Sequence, residues 1–171
     1  QLGFSEQQLC EALQIRSKQD GVLFGRVPLS LFEQALLAAE ELTGDDVIGL
    51  RMGQAALPST YGVFYFLSIA GEDLQQIMAA VTRYFPLMYD FISLNMTPEE
   101  RVLRVEFHYA QKRRPHRHVI EHLFSNWFTT ANLLQFDEQH VPRTLYLQHA
   151  QPCSNSELAE IFHATPVLFD Q

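Results

Sequence analysis

Apolar residues recur along this chain at two periods, and each change of period marks a new element. After Pro28, residues Leu31, Phe32, Ala35, Leu36, Ala39 and Leu42 fall on one helical face. Ser30-Leu31-Phe32-Glu33 has the form of a capping box at that helix's start. Gly44 should end it, and Asp45 or Asp46 is placed to cap a short second helix through Ile48, Leu50 and Met52. An earlier short helix is expected behind Ser5, its N-cap, with Leu9 and Leu13 on the buried side. The run "YGVFYFLSIA" is aromatic and β-branched between turn residues, and reads as a mostly buried strand. From Gly71 to Met88 the helical period returns through Leu74, Ile77, Val81, Tyr84 and Phe85, with Pro86 placed to kink or end the helix.

"FISLNM", the turn "TPEE" and "RVLRVEFHYA" then form a β-hairpin. Its second strand alternates Leu103, Val105, Phe107 and Tyr109 with Arg104, Glu106 and His108, which predicts one buried and one polar face. A long helix is expected from His116 to Gln135 with Ile120, Phe124, Trp127, Ala131 and Leu134 as its core face. "RTLYLQHA" reads as a strand, "SNSELAEIFHA" as a short helix capped near Ser154 or Ser156, and "TPVLFD" as a last strand. Helices and strands do not alternate as βαβ units, and the hairpin is antiparallel. The fold class is therefore α+β, with helices packed on a small antiparallel sheet in a single domain over residues 1–171.

Composition narrows the function classes. Of the 171 residues 47% are apolar, enough for one substantial core, and 19% charged with 12% aromatic is the balance of a folded chain. Twenty acids against twelve Lys and Arg give a net charge of −8, which repels phosphate backbones and argues against nucleic acid as a direct partner. The basic cluster Lys112, Arg113, Arg114 and Arg117 reads as a solvated loop. Cys10 and Cys153 are far apart, with no disulfide framework and no metal spacing, as in a reducing, cytoplasmic compartment. No apolar run approaches the length of a membrane span.

One pattern points to chemistry. His118-x-x-Glu121-His122 has the i, i+4 histidines and intervening Glu of a zinc-dependent hydrolase. Against that reading, the segment opens a helix just after Pro115, beside Arg113, Arg114 and Arg117. Glu138, Glu157 and Glu160 are available as a third ligand but lie in no second motif. The polar stripe continues as Ser125, Thr129 and Asn132, so a solvated helix face accounts for the same residues. The expectation is no bound metal, no cofactor and no catalytic residue.

Several segments, taken in order, resemble the N-terminal effector domain of AraC/XylS-type transcription regulators, the arabinose-binding type, and most of all the group that includes the ornithine-utilisation regulators. The residues that carry the resemblance are Arg26-Val27-Pro28-Leu29, then Leu42-Thr43-Gly44-Asp45, then Ile48-Gly49-Leu50-Arg51-Met52-Gly53. Further on they are Arg83-Tyr84 and the closing set Pro142, His149, Pro152, Phe162, Pro166, Val167 and Phe169. The chain departs from the family in having Ala70-Gly71-Glu72-Asp73-Leu74 before the long helix, and in stopping at Gln171 without the family's C-terminal pair of helix-turn-helix motifs.

The resemblance implies a sensing domain that binds a small organic effector without turnover, forms a homodimer and reaches DNA only through a C-terminal domain outside this chain. Tyr65, Arg83, Tyr84, His108 and Trp127 are the candidate ligand-binding residues, each a polar or cationic group at the edge of an apolar face. A zinc hydrolase at His118, Glu121 and His122 and a ligand-free dimerisation module are the competing expectations.

Overall fold

A computed structural model of the chain describes residues 5–12, 27–57, 62, 66, 74–99, 102–110, 113–133, 143–163 and 165–170. These form six α-helices, a two-stranded antiparallel sheet and one short parallel strand pair, so the class is α+β. The helices are α1 (Glu6–Ala12), α2 (Leu29–Thr43), α3 (Ile48–Ala55), α4 (Leu74–Tyr84), α5 (Arg117–Leu133) and α6 (Asn155–Ile161). The strands are β1 (Ile92–Glu99), β2 (Val102–Tyr109), β3 (Leu145–Tyr146) and β4 (Val167–Leu168). The chain divides into two compact units. One comprises Gln1–Ala56 and His116–Gln171, and the other is the intervening Leu57–Pro115.

In the discontinuous unit the chain is punctuated largely as the sequence indicates. Ser5 Oγ accepts the Gln8 N–H at 3.2 Å and caps α1. Gly44 closes α2 in the left-handed conformation (φ 68°), its N–H donating to the Glu40 carbonyl at 2.7 Å. Asp45 Oδ1 accepts the Val47 N–H at 3.1 Å, but Val47 itself is the N-cap of α3 and no side chain caps that helix, contrary to the expectation at Asp45 or Asp46. Ser154 and Glu157 form the capping box of α6.

The box expected at Ser30 is not formed. Pro28 is the N-cap of α2, its carbonyl accepts from Leu31 and Phe32, and Ser30 makes no cap. Glu33 is buried instead, where its Oε1 accepts the His116 N–H at 2.7 Å. A long-range donor has displaced the local one.

The core of this unit is the crossing of α3 and α5. Gly49 and Gly53 lie one helical turn apart on α3, and both face α5. A Cβ at Gly49 would sit 2.5 Å from the His118 carbonyl oxygen, and one at Gly53 would sit 2.6 Å from that of His122. With hydrogen in place of a side chain, the two backbones approach closely enough for side chains of α5 to bond the backbone of α3. Ser125 Oγ donates to the Leu50 carbonyl at 2.8 Å, and Asn126 Nδ2 to the Gly53 carbonyl at 3.2 Å. Around this contact Leu36, Ile48, Leu50, Val119 and Leu123 are buried, and Phe128 meets Phe162 edge-to-face at 5.0 Å.

The strands β3 and β4 pair in parallel, Leu145 with Val167 and Tyr146 with Leu168. The stretch between them, which contains α6, serves as the crossover that a parallel pair requires. The sequence reading of no βαβ arrangement is therefore corrected here, since two-residue strands are too short to show a period.

The inserted unit follows the sequence in part, although Leu103, expected on the buried face of the hairpin, is exposed. Buried Ile77 and Val81 define the inner face of α4, and a 3-10 turn over Phe85–Leu87, with Pro86 inside it, ends the helix. Hairpin partners such as Leu94 with Phe107 and Ile92 with Tyr109 share one face of the sheet. Phe85 packs on Phe107 at 6.0 Å and on Tyr89 at 5.2 Å, joining the end of α4 to that face. Of the expected turn at residues 97–100, Thr97 to Glu99 are strand, because pairing continues to Glu99 opposite Val102, and residue 100 lies outside the described residues. Of the run expected as a buried strand only Gly62 and Phe66 are described. Phe66 is helical and exposed, contrary to that reading, and the rest lies outside the described residues.

The two kinds of glycine should respond differently to alanine. Gly49→Ala pushes a methyl into backbone and should cost about 1–3 kcal/mol. Gly44→Ala meets nothing within 4 Å and carries only the penalty of a left-handed residue, about 1 kcal/mol. Urea denaturation of the two variants checks the order.

Candidate functional site

The polar stripe of α5 is not a solvated face over its first half, although Asn132 farther along is exposed. His118, Glu121 and Ser125 are fully buried, and Asn126 is nearly so, because this is the side that α3 covers. Phe124 and Trp127, expected in the core, are only half-buried. The sequence reading assigns these polar residues to water, whereas in the interior His118 and Glu121 bond each other and Ser125 and Asn126 bond carbonyls of α3.

The interior arrangement is an ionic cluster drawn from three segments. His118 Nδ1 lies 3.0 Å from Glu121 Oε2, and its Nε2 lies 3.1 Å from Glu40 Oε2 on α2. A carboxylate only accepts, so two such contacts require an N–H on each ring nitrogen, which makes His118 an imidazolium. Burial works against that charge, but the bonds to Glu121 and Glu40 outweigh it and hold the His118 pKa above its ordinary value. Glu121 is affected in the opposite direction. Its burial favours the neutral acid, yet hydrogen bonds from His118 and Arg117 hold its pKa below the usual carboxylate value. Arg117 Nη1 donates to Glu121 Oε1 at 2.8 Å, while its Nη2 donates to the Asp46 carbonyl and faces Glu40 Oε1 at 3.7 Å. The cluster thus ties α2, the turn before α3, and α5 together.

His149 approaches the same carboxylate from the segment after β3. Its Nδ1 bonds the Ala150 carbonyl at 2.8 Å, and its buried Nε2 stops 3.9 Å from Glu121 Oε1 without a hydrogen bond. His122, the third member of the zinc-like pattern, does not join the cluster. Its ring packs edge-on against Phe32 at 5.5 Å, and burial lowers its pKa to about 4. The donors that a zinc site would need are therefore engaged with each other or packed against an aromatic ring. Among the described residues no group of three or more His, Cys, Asp or Glu side chains is placed to hold a metal ion.

The residues singled out for effector binding are distributed over both units. Tyr65 lies outside the described residues. Arg83 and Tyr84 end α4 in the inserted unit, with the exposed Arg83 guanidinium 5.4 Å from the centre of the Tyr84 ring. His108 is on the outer face of β2, exposed, with Glu106 Oε2 at 3.9 Å. Trp127 belongs to α5 in the discontinuous unit and is half-buried. The structure brings Arg83 and Tyr84 together and leaves His108 and Trp127 on separate elements. Sequence reasoning missed Glu40 as a partner of His118, Glu33 as the acceptor for the His116 N–H before α5, and His149 beside Glu121, since all three are distant in sequence. The available signal was the pair of glycines four apart in α3, which marks a close backbone approach.

Comparison with known families then decides the class. The family model for the N-terminal arabinose-binding domain of AraC transcription regulators matches residues 3–171. The chain belongs to this family. No curated protein matches it. Members are regulatory, ligand-sensing domains, and this AraC-type domain has Gly49 and Gly53 at its helix crossing. No helix among its described residues is long and apolar enough to cross a membrane.

Two consequences of the buried cluster are measurable. His118→Ala leaves two carboxylates without their shared counter-charge and should cost about 3–5 kcal/mol in urea denaturation. A solvated face would cost next to nothing. On the acid side, His122 stays neutral in the fold down to about 4 while the unfolded chain takes a proton near 6.5, so stability should decline as pH falls through that interval. His122→Leu should remove that part of the decline. The further loss below it, as Glu121 is protonated, should remain.

Proposed function

We propose that this AraC-type domain senses a small organic effector, without turnover, and passes the result as a homodimer to a DNA-binding domain elsewhere in the full protein, in the cytoplasm. The observation that carries this reading is the family match along nearly the whole chain, residues 3–171. The motifs Leu42-Thr43-Gly44-Asp45 and Ile48-Gly49-Leu50-Arg51-Met52-Gly53 support a place beside the ornithine-utilisation regulators.

Arg83 is our choice for the contact to an anionic effector. It is exposed at the end of α4 beside the Tyr84 ring, so a planar fork of donors and an aromatic surface are presented together. Tyr65, His108 and Trp127 remain candidate contacts, each taken on its own element. An effector acts only through a difference in affinity between two states of the domain, so binding must change how the domain presents itself to its partners.

A thermal-shift screen of amino acids, amines, organic acids and fatty acids tests this, because a ligand that prefers the folded state raises the melting temperature. At least one class should stabilise the wild type, and Arg83→Ala should lose stabilisation by carboxylates, weakening binding by about 1–3 kcal/mol. Equal stabilisation of both proteins removes Arg83 from the site. No stabilisation by any class favours a ligand-free dimerisation module.

With a net charge of −8, the 171 residues alone should give no specific complex with duplex DNA. A gel-shift titration at moderate salt checks this, and a discrete, competitor-resistant band would contradict it.

A further inference from the structure

The His118 cluster has a property that its role as an internal tie does not require. Its two carboxylates come from different helices, and only one of them is sealed from water. Glu121 is fully buried on α5, whereas the Glu40 side chain on α2 keeps about a third of its surface exposed. Both accept a hydrogen bond from His118 only while each of its nitrogens carries a hydrogen. A neutral imidazole has one N–H, so one carboxylate must lose its donor.

The unequal burial decides which one. A buried carboxylate without a donor is far more costly than one that can turn to water. Glu121 therefore keeps the Nδ1–H, along with its bond from Arg117, and Glu40 is released. We propose that His118 is a proton-operated clasp between α2 and α5, closed when the imidazole is charged and opened on the α2 side when it is neutral. The inference rests on side-chain geometry within one unit and does not depend on the effector reading.

The charged and titratable groups around His118 are accounted for on each element that packs against it. From α2 there is Glu40. From α5 there are Glu121 and Arg117, whose guanidinium also faces Glu40. Before α5, the His116 ring lies 4.7 Å away, and its pKa is lowered, first by burial and then by the charge on His118. From α3 the close neighbour is the backbone at Gly49, and the turn before it contributes the Asp46 carbonyl to Arg117. His149 reaches Glu121 from the far side.

The sign of the effect follows from the direction of the shift. The His118 pKa is raised in the fold, so its contribution to stability is complete below the unfolded value near 6.5 and disappears as pH rises through the folded value. The clasp therefore opens on the alkaline side, opposite to the acid-side losses at His122 and Glu121.

Glu40→Gln separates this proposal from an ordinary buried ion pair. The new amide N–H donates to Nε2 of a neutral imidazole, while Nδ1–H remains on Glu121, so no extra proton is needed. Urea denaturation of the 171-residue chain between pH 6 and 9 should give a midpoint that falls with pH in the wild type and a flatter profile in Glu40→Gln. In wild-type hydrogen exchange, after correction for the intrinsic pH dependence, α2 amides such as Gly44 should lose protection at pH 9 before those of α5. Parallel urea profiles in the two proteins, or α2 and α5 losing protection together, would overturn the clasp. If the variant does not fold, the NMR titration of the wild-type His118 ring decides. A charged ring at pH 6 supports the proposal, and a ring already neutral there refutes it.

Discussion

The close approach of α3 and α5 is the constraint on which the discontinuous unit depends. Gly49 and Gly53 let the two backbones meet at a distance no other residue permits. Two consequences follow from that approach. Ser125 and Asn126 come within bonding distance of α3 carbonyls, and the His118 side of α5 is closed off from water. Once closed off, that side has to satisfy its own polar groups, and it does so with Glu40, Arg117 and Glu121. Without the glycines, the same helix would carry its histidines on an ordinary solvated face.

Much of the architecture is legible in the sequence for local reasons. The Gly44 stop, the Ser154 capping box, the Pro86 termination and the two-residue alternation of the hairpin each depend on neighbours a few positions away. What the sequence conceals depends on distant partners. Glu33 looks like a capping residue until His116 takes its carboxylate, and Ser125 looks like surface until Leu50 accepts its hydroxyl from 75 positions away. The buried ionic cluster is the extreme case. His118 and Glu121 belong to a pattern with an apparent catalytic spacing, but the residue that explains them is Glu40, 78 positions from His118.

The H-x-x-E-H pattern shows how spacing can mislead. On a helix it places two imidazoles and a carboxylate on one side, which suits a metal ion but equally suits an internal tie. The difference lies in what the nitrogens face. Here both nitrogens of His118 face carboxylate oxygens, and His122 faces an aromatic ring. The side-chain geometry thus gives this pattern a mechanical role, holding helices together.

The division of the chain into a discontinuous unit and an insert has a further implication for how much variation the middle can absorb. The insert leaves one unit after α3 and returns to it just before α5, two helices already held against each other. To the outer unit, residues 57–115 therefore behave as one long closed loop. The entropy of closing a loop grows only logarithmically, by about 0.6 kcal/mol per doubling of its length. On that scaling, lengthening or shortening the hairpin segment should cost the helical crossing little.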